Sequence, residues 1–262
     1  MDVLAPRTLD EALLLKAERP DALPIEGGTD VMVELNFDRR RPGALLNLNE
    51  VPELKGWSRE NGRLRLAAGL TYTQAMRDLR SALPALAEAS RTVGSPQIRN
   101  RGTIGGNLGT ASPAGDALPP LLIEGAEVEV ASLRGLRRLP VDAFLVGVKR
   151  NALEPDELIA AVHVEPSGQP QTFMKVGPRN AMVIAVCSLA LVVDRERAEV
   201  RAAFGSAAPV ARLVRAPLAD AGAFPEQVAE AASPIDDVRG TAAYRRHALR
   251  VLTQRALERC LA

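Results

Sequence analysis

The chain has 262 residues and nearly balanced charges, with 33 Lys and Arg against 32 Asp and Glu and a formal net charge of +1. This balance leaves no excess of positive charge that would attract nucleic acid. Aromatic residues, at 3%, are too few to stack against single-stranded bases. The two cysteines, Cys187 and Cys260, lack CxxC spacing, which argues against a zinc or iron–sulfur site in this chain. The length indicates one large domain or two modest ones.

The N-terminal residues begin acidic and lack a basic segment and a cleavage site, so no signal peptide is predicted. The longest apolar run, residues 181–193, is interrupted by Ser188 and is too short to span a bilayer. The unpaired cysteines fit a reducing compartment. We therefore expect a cytoplasmic protein without membrane insertion.

Local signals in the first part of the chain predict short strands and capped helices. Thr8 and Glu11 have the spacing of a capping box, as do Thr71 and Gln74, so helices are expected to begin after each threonine. The strands predicted here are residues 22–25, 44–48 and 64–70, and the helices are 9–19, 31–35, 72–80 and 83–92.

Residues 94–120 carry six glycines and four prolines, and this composition predicts a long loop with a functional role. Beyond it, Arg134-Gly135 is suited to the turn of a hairpin between residues 127–133 and 136–140. Two prolines and a glycine within residues 166–171 indicate a domain boundary. The other predicted elements are strands at 158–164, 172–176, 183–193 and 198–204 and helices at 225–232 and 241–261.

Two glycine-containing segments, residues 26–30 (EGGTD) and 102–107 (GTIGGN), are candidates for a phosphate site. Consecutive glycines let backbone N–H groups converge without obstruction by a Cβ, and such an array binds anions. The first segment follows a predicted strand and precedes a predicted helix, an arrangement that favours anions further. The alternative is that each pair is only a tight turn. Neither segment has the G-x-G-x-x-G or Walker A spacing, so both of those nucleotide folds are disfavoured.

Three stretches resemble the flavin-binding medium subunits of the molybdenum hydroxylases, a family that includes xanthine dehydrogenases, carbon monoxide dehydrogenase and 4-hydroxybenzoyl-CoA reductase. They are GGTDVMVEL (27–35), VGSPQIRNRGTIGGNLGTASPAGDALPPLL (93–122) and AAYRRHALRVLTQRAL (242–257). Weaker similarity lies in residues 156–164 and 173–191. The resemblance therefore covers essentially the whole chain in order.

The resemblance implies an α+β protein of two domains. Residues 1–165 would form an FAD-binding domain like that of vanillyl-alcohol oxidase and p-cresol methylhydroxylase, with two subdomains divided near residues 50–60. A small parallel sheet and a larger antiparallel sheet would hold FAD between them. Residues 166–262 would form a smaller C-terminal domain, an antiparallel sheet with helices.

The same resemblance implies a set of FAD contacts. The first glycine segment would wrap the diphosphate through its backbone N–H groups and the second would close over it, while a carboxylate would hold a ribose and a lysine would place a positive charge near the flavin. Asp116 could instead cap a turn, and Lys175 could be a solvated strand residue. The implied residues are Gly27, Gly28, Thr29, Asp30, Val31, Thr103, Gly105, Gly106, Asn107, Ala111, Ser112, Asp116, Leu158 or Ile159, and Lys175.

The sequence departs from the family pattern at two positions. Glu26 stands where relatives have a small residue before Gly-Gly, and its carboxylate would repel a diphosphate unless it turns away. Val183 stands where many relatives have Asp. The only histidines, His163 and His247, lie outside both glycine segments, so FAD is expected to bind without a covalent link.

As a function, the resemblance implies an FAD-containing electron-transfer subunit. Molybdopterin would be bound by a large partner and [2Fe–2S] clusters by a small one, because this chain lacks the cysteines for such clusters. The external electron acceptor could be NAD. A stand-alone FAD-dependent oxidoreductase and a non-enzymatic nucleotide- or phosphate-binding module are the alternatives. The substrate would belong to the molybdenum subunit.

Overall fold

The computed structural model describes residues 1–262. The elements up to residue 123 are β1 (Asp2–Leu4), α1 (Leu9–Glu18), β2 (Leu23–Ile25), α2 (Val31–Asn36), β3 (Ala44–Asn47), β4 (Trp57–Glu60), β5 (Arg63–Ala67), α3 (Tyr72–Asp78), α4 (Pro84–Thr92), α5 (Pro96–Arg101), α6 (Ile104–Thr110) and α7 (Leu118–Ile123). Those that follow are β6 (Glu127–Ser132), β7 (Gly135–Pro140), α8 (Val141–Phe144), β8 (Leu145–Gly147), β9 (Arg150–Asn151), β10 (Leu158–Val164), β11 (Gln171–Val176), β12 (Cys187–Asp194), β13 (Glu199–Gly205), β14 (Arg212–Pro217), α9 (Phe224–Ala231) and α10 (Ala242–Leu261).

The first 164 residues contain a small parallel sheet and a larger antiparallel one. The parallel sheet has three strands in the order β1-β3-β2. The antiparallel sheet has five strands in the order β4-β5-β10-β6-β7. The protein is thus a mixed α/β fold with several antiparallel sheets. Strand β10 is the last strand of these residues in the sequence, and it lies at the centre of the larger sheet.

Strands β11 to β14 form a four-stranded antiparallel sheet whose two faces belong to different cores. Side chains alternate across a strand, so Ala190 and Val192 of β12 pack with the first part of the chain, while Leu189 and Leu191 pack with α9 and α10. All eight residues of β12 are buried. The sheet is therefore a shared wall between the two parts of the molecule.

Both cysteines are unpaired and buried in the core beneath α10. Burial raises the pKa of the Cys187 thiol to about 12 and that of Cys260 to about 11. Because the thiolate is the reactive form, we expect neither cysteine of the native chain to react with a thiol reagent at neutral pH. Titration of the native and denatured chain with such a reagent checks this: two thiols should react only after denaturation, and rapid labelling of the native chain would contradict the burial.

The largest difference from the sequence prediction concerns residues 94–120, which contain α5, α6 and the start of α7 rather than one long loop. Ser95 accepts a hydrogen bond from the backbone N–H of Ile98, and Thr103 accepts one from that of Gly106. These caps begin α5 and α6, and Pro96 occupies the first position of α5, where a proline is tolerated. The glycines of this stretch thus serve close helix packing as well as turns.

The remaining differences are local. The Thr71–Gln74 capping box is confirmed, but at α1 the Glu11 carboxylate accepts from the backbone N–H of Arg7 rather than that of Thr8. The hairpin turn lies one residue earlier than predicted, because Ser132 pairs directly with Gly135. Strand β5 ends at Ala67 and β12 begins only at Cys187. The sequence analysis also missed the strands β1, β4, β8, β9 and β14 and the helix α8.

Candidate functional site

A cleft of about 390 Å³ opens between the parallel sheet and the N-terminal end of β10. Its walls come from β2, the turn into α2, α6 and the first residues of β10. Both glycine segments meet there, although they are about 75 residues apart in the sequence. The cleft brings together eleven of the fifteen residues implied by the resemblance, namely Gly27, Gly28, Thr29, Asp30, Val31, Thr103, Gly105, Gly106, Asn107, Leu158 and Ile159.

The first glycine segment presents free backbone donors to the cleft. None of the N–H groups of residues 27–31 has an acceptor within the chain. Gly28 has a φ of +73°, a conformation that L-residues rarely adopt. Gly27 packs so closely on α5 that a Cβ there would lie 2.1 Å from the backbone oxygen of Arg101. The close approach fixes the segment in place and leaves its donors free to bind an anion.

The second segment differs from this expectation, because every backbone N–H of residues 102–107 except that of Thr103 is used within the protein. The N–H groups of Ile104 and Gly105 donate to Leu70 and Ala68, and that of Gly106 donates to the Thr103 side chain. The N–H of Asn107 donates to the backbone oxygen of Thr103 as the first turn of α6 closes. The contribution of this segment to a ligand would therefore come from its side chains, from the Thr103 N–H and from its close backbone approach.

The two adjacent glycines of α6 have different surroundings. A Cβ on Gly105 would lie 2.6 Å from the Ala68 backbone oxygen, so packing alone requires glycine there. At Gly106, which is exposed in the cleft wall, only the Thr103 hydroxyl lies near, at 3.0 Å. The protein interior thus explains Gly105, whereas the space beside Gly106 is open to a ligand.

The other four implied residues lie beyond the cleft wall. Ala111 is buried and has a left-handed φ of +46° as it ends α6, and the Ser112 hydroxyl accepts from the N–H of Ala114. Asp116 and Lys175 form an ion pair, with 2.5 Å between Oδ2 and Nζ and only 7% of each side chain exposed. Burial raises the pKa of Asp116, and the Lys175 ammonium opposes that rise. Lys175 is therefore not a solvated strand residue.

Two buried polar atoms next to the cleft have no hydrogen-bond partner in the protein, Asn107 Oδ1 and Asp116 Oδ1. Gly115, which directly precedes Asp116 in the chain, packs on the Asn107 side chain, since a Cβ there would lie 2.8 Å from Asn107 Oδ1. Unsatisfied buried acceptors are rare in native proteins and call for an explanation. Of the two residues only Asn107 lines the cleft, and a ligand that carries hydroxyl groups would supply a donor to its side chain, as FAD would through its ribityl chain. The residues present therefore fit an FAD cofactor.

Leu158 and Ile159 begin β10 at the floor of the cleft. Leu158 is buried at 2% exposure and belongs to the core under the parallel sheet, whereas Ile159 is half-buried. The pairing of β10 with β6 shifts register between Ile159 and Ala161, and such bulges redirect side chains next to functional sites. Of the two, Ile159 is the better placed to contact a ligand.

Sequence reasoning missed Tyr72 and Asn151, which also line the cleft. Burial and the nearby Asp116 and Asp30 carboxylates raise the pKa of Tyr72, so its phenol stays protonated. The Asn151 amide donates to the backbone oxygen of Gly109 and so ties β9 to α6. No local signal marks either residue, since both reach the cleft only through the tertiary fold.

Glu26 and Val183, the two positions that depart from the family pattern, both have partners within the protein. The Glu26 carboxylate pairs with Lys55, and Val183 packs on Gly177 in the connection between β11 and β12. Neither histidine lines the cleft: His163 Nε2 lies 2.6 Å from Glu129 Oε2, and His247 is exposed on α10. None of the helices combines the length and the apolar character that a bilayer-spanning helix requires.

Residues 1–166 match the sequence model of a family described as "FAD binding domain in molybdopterin dehydrogenase". The chain belongs to this family. It is 32% identical to the xanthine dehydrogenase FAD-binding subunit of Escherichia coli O157:H7, with 97% of this chain and 94% of that protein covered. It is 36% identical to the nicotinate dehydrogenase FAD-subunit of Eubacterium barkeri, over 74% of this chain and 69% of the relative. The chain is thus an oxidoreductase subunit of the xanthine dehydrogenase type, which confirms the resemblance seen in the sequence.

The fold of this family member is also shared with solved structures. A chain of carbon monoxide dehydrogenase from Hydrogenophaga pseudoflava superposes with a TM-score of 0.92 at 24% identity, with 100% of this chain and 97% of that chain covered. A chain of quinoline 2-oxidoreductase from Pseudomonas putida 86 gives a TM-score of 0.91. At this level of identity the likeness establishes the fold alone. The roles of individual residues must be argued from the geometry of the cleft.

Proposed function

We propose that the chain binds one FAD non-covalently in the cleft between its parallel and antiparallel sheets. The observation that carries this proposal is the row of free backbone N–H groups at residues 27–31, which line the cleft within the part of the chain that matches the FAD-binding family. These donors would hold the diphosphate, which is an anion. Asn107 and Asp116 would accept hydrogen bonds from hydroxyl groups of the cofactor, and Ile159 would pack on the flavin ring system.

The position of Lys175 supports a role for the C-terminal sheet in the same site. Lys175 reaches across to Asp116 from β11, so the second part of the chain helps to fix the carboxylate. We propose that residues 1–165 are the FAD-binding domain, with the architecture of vanillyl-alcohol oxidase and p-cresol methylhydroxylase, and that residues 166–262 close the site. FAD, when bound, supplies one- and two-electron redox chemistry, while the protein supplies position and electrostatics.

The proposed role of the chain is electron transfer within a heteromeric molybdenum hydroxylase. A relative from Hydrogenophaga pseudoflava is named as the medium chain of carbon monoxide dehydrogenase, at 30% identity over 61% of this chain and 57% of the relative. By analogy, a large partner would bind molybdopterin and a small partner would bind the [2Fe–2S] clusters. Electrons would pass through the FAD of this chain, between those clusters and an external acceptor such as NAD. The complex would be located in the cytoplasm.

Reconstitution of the purified full chain with FAD tests the proposal. We expect one FAD per chain and a flavin spectrum that persists through gel filtration and is released by acid precipitation, because the link is non-covalent. Failure to retain flavin would overturn the proposal and favour a phosphate-binding module. Turnover by the isolated flavin-loaded chain would favour the stand-alone oxidoreductase, whereas activity only after co-expression with the two partner subunits supports the electron-transfer role.

A further inference from the structure

Glu26 directly precedes the free N–H groups of residues 27–31, at a place where a negative charge would oppose diphosphate binding. Its side chain is only 11% exposed, and Oε1 lies 2.7 Å from Nζ of Lys55. Lys55 follows the short helical turn Pro52–Leu54 and is 42% exposed. The lysine thus comes from a separate segment and meets the carboxylate at the edge of the cleft.

The surroundings of Glu26 keep its carboxylate in this position. Gly69 lies beneath it, and a Cβ there would come within 2.2 Å of Oε1. The backbone oxygen of Glu26 accepts hydrogen bonds from the side chains of Asn49 and Arg101, at 3.0 and 3.2 Å. Both the main chain and the side chain are therefore held, and the carboxylate is largely shielded from solvent.

The charged groups that face Glu26 are Lys55 and Arg101, from the two segments packed on it. Of these, only Lys55 bonds the carboxylate, because the Arg101 guanidinium is engaged by the Glu26 backbone oxygen and by Asn49. Burial raises the pKa of Glu26, and Lys55 opposes that rise. Without the ammonium, a buried carboxylate would stand next to the anion-binding segment with little compensation.

We propose that Lys55 is a cofactor-positioning residue, which neutralises Glu26 so that an acidic residue can precede the Gly27-Gly28 segment without repelling the FAD diphosphate. This inference rests on the proposed function of the cleft. Lys55 acts through Glu26 and does not itself line the cleft wall. The pair thereby explains how an acidic residue directly before Gly27-Gly28 is compatible with FAD binding.

The test is a set of FAD titrations of the full-length apo chain, followed by flavin fluorescence, for the wild type and for Lys55→Ala, Lys55→Arg and Lys55→Ala/Glu26→Gln. Removal of the ammonium should weaken FAD binding by about tenfold, as expected when a carboxylate near the bound diphosphate loses its counter-ion. Lys55→Arg keeps the charge and should bind as the wild type does. The double variant removes both charges and should recover affinity to within about threefold.

The pH dependence adds a second readout that a merely structural role would not change. In Lys55→Ala, FAD binding should strengthen as the pH is lowered through the titration of Glu26, whereas the double variant should lack this effect. Equal affinity of Lys55→Ala and the wild type would overturn the inference, as would a double variant no better than Lys55→Ala. If the wild type itself binds no FAD, the proposed function fails, and the inference fails with it.

Discussion

Replacing Gly106 with valine should abolish retention of FAD while leaving the fold intact. The only neighbour of a Cβ at this position is the Thr103 hydroxyl, and the rest of the space belongs to the cleft. A branched side chain would occupy room that the cofactor needs. We expect FAD affinity to fall by about a hundredfold, equivalent to about 2.7 kcal/mol. Flavin content after gel filtration and far-UV circular dichroism measure the two effects separately.

Gly105→Val is the matched control for this experiment. Here the added side chain would collide with the backbone of Ala68, so the variant should lose more than about 3 kcal/mol of folding free energy whether or not FAD is present. Unchanged flavin content in Gly106→Val would remove Gly106 from the site. Loss of circular dichroism in Gly106→Val equal to that in Gly105→Val would show that both glycines serve packing alone.

The second large effect is expected for Lys175→Met, which leaves the buried Asp116 carboxylate without its partner. Breaking a buried ion pair on one side typically destabilises a protein by about 3–5 kcal/mol, because the remaining charge is uncompensated. We expect a loss of this size in the free energy of unfolding of the apo chain at neutral pH. Urea denaturation of the wild type and the variant measures it.

The matched control is the double variant Asp116→Asn/Lys175→Met, which removes both charges and should be less destabilised than Lys175→Met. The pH gives an independent check on the single variant. Burial already raises the pKa of Asp116, and loss of the lysine should raise it further. A carboxyl with a raised pKa in the folded state favours folding when protonated, so the stability of Lys175→Met should fall as the pH rises above the usual range of aspartate. A pH-independent loss would contradict the assignment.

The parts of the fold that could be predicted from sequence are those with local signals. The Thr71–Gln74 box, the strand at 158–164 and the C-terminal helix after Thr241 all lie where their patterns place them. Helices α5 and α6 were missed because glycine and proline composition outweighed the caps at Ser95 and Thr103. Strand β14 carries two arginines and a proline, and it is a strand because β13 provides its partner.

The site shows the same division between local and tertiary information. The glycine motifs identified the two candidate phosphate-binding segments. Whether each backbone N–H is free or hydrogen-bonded depends on which acceptor the tertiary fold places opposite it. The Gly105 N–H meets the Ala68 oxygen, while those of residues 27–31 meet no protein acceptor. Asp116 and Lys175 are 59 residues apart in the sequence, and nothing in either segment signals their ion pair. Likewise, nothing in the sequence around Lys55 predicts its ion pair with Glu26.

The shared wall formed by the C-terminal sheet has a consequence for how the chain can be divided. Residues 1–166 are the part that the family model matches, yet the core of that part includes Phe173, Ala190, Val192 and Ala203. Arg201 also donates to the backbone oxygen of Ile123 at the end of α7. Excision at residue 166 would strip one side of α7 of its covering and expose apolar surface to water. We therefore expect residues 1–166 not to fold stably without residues 167–262.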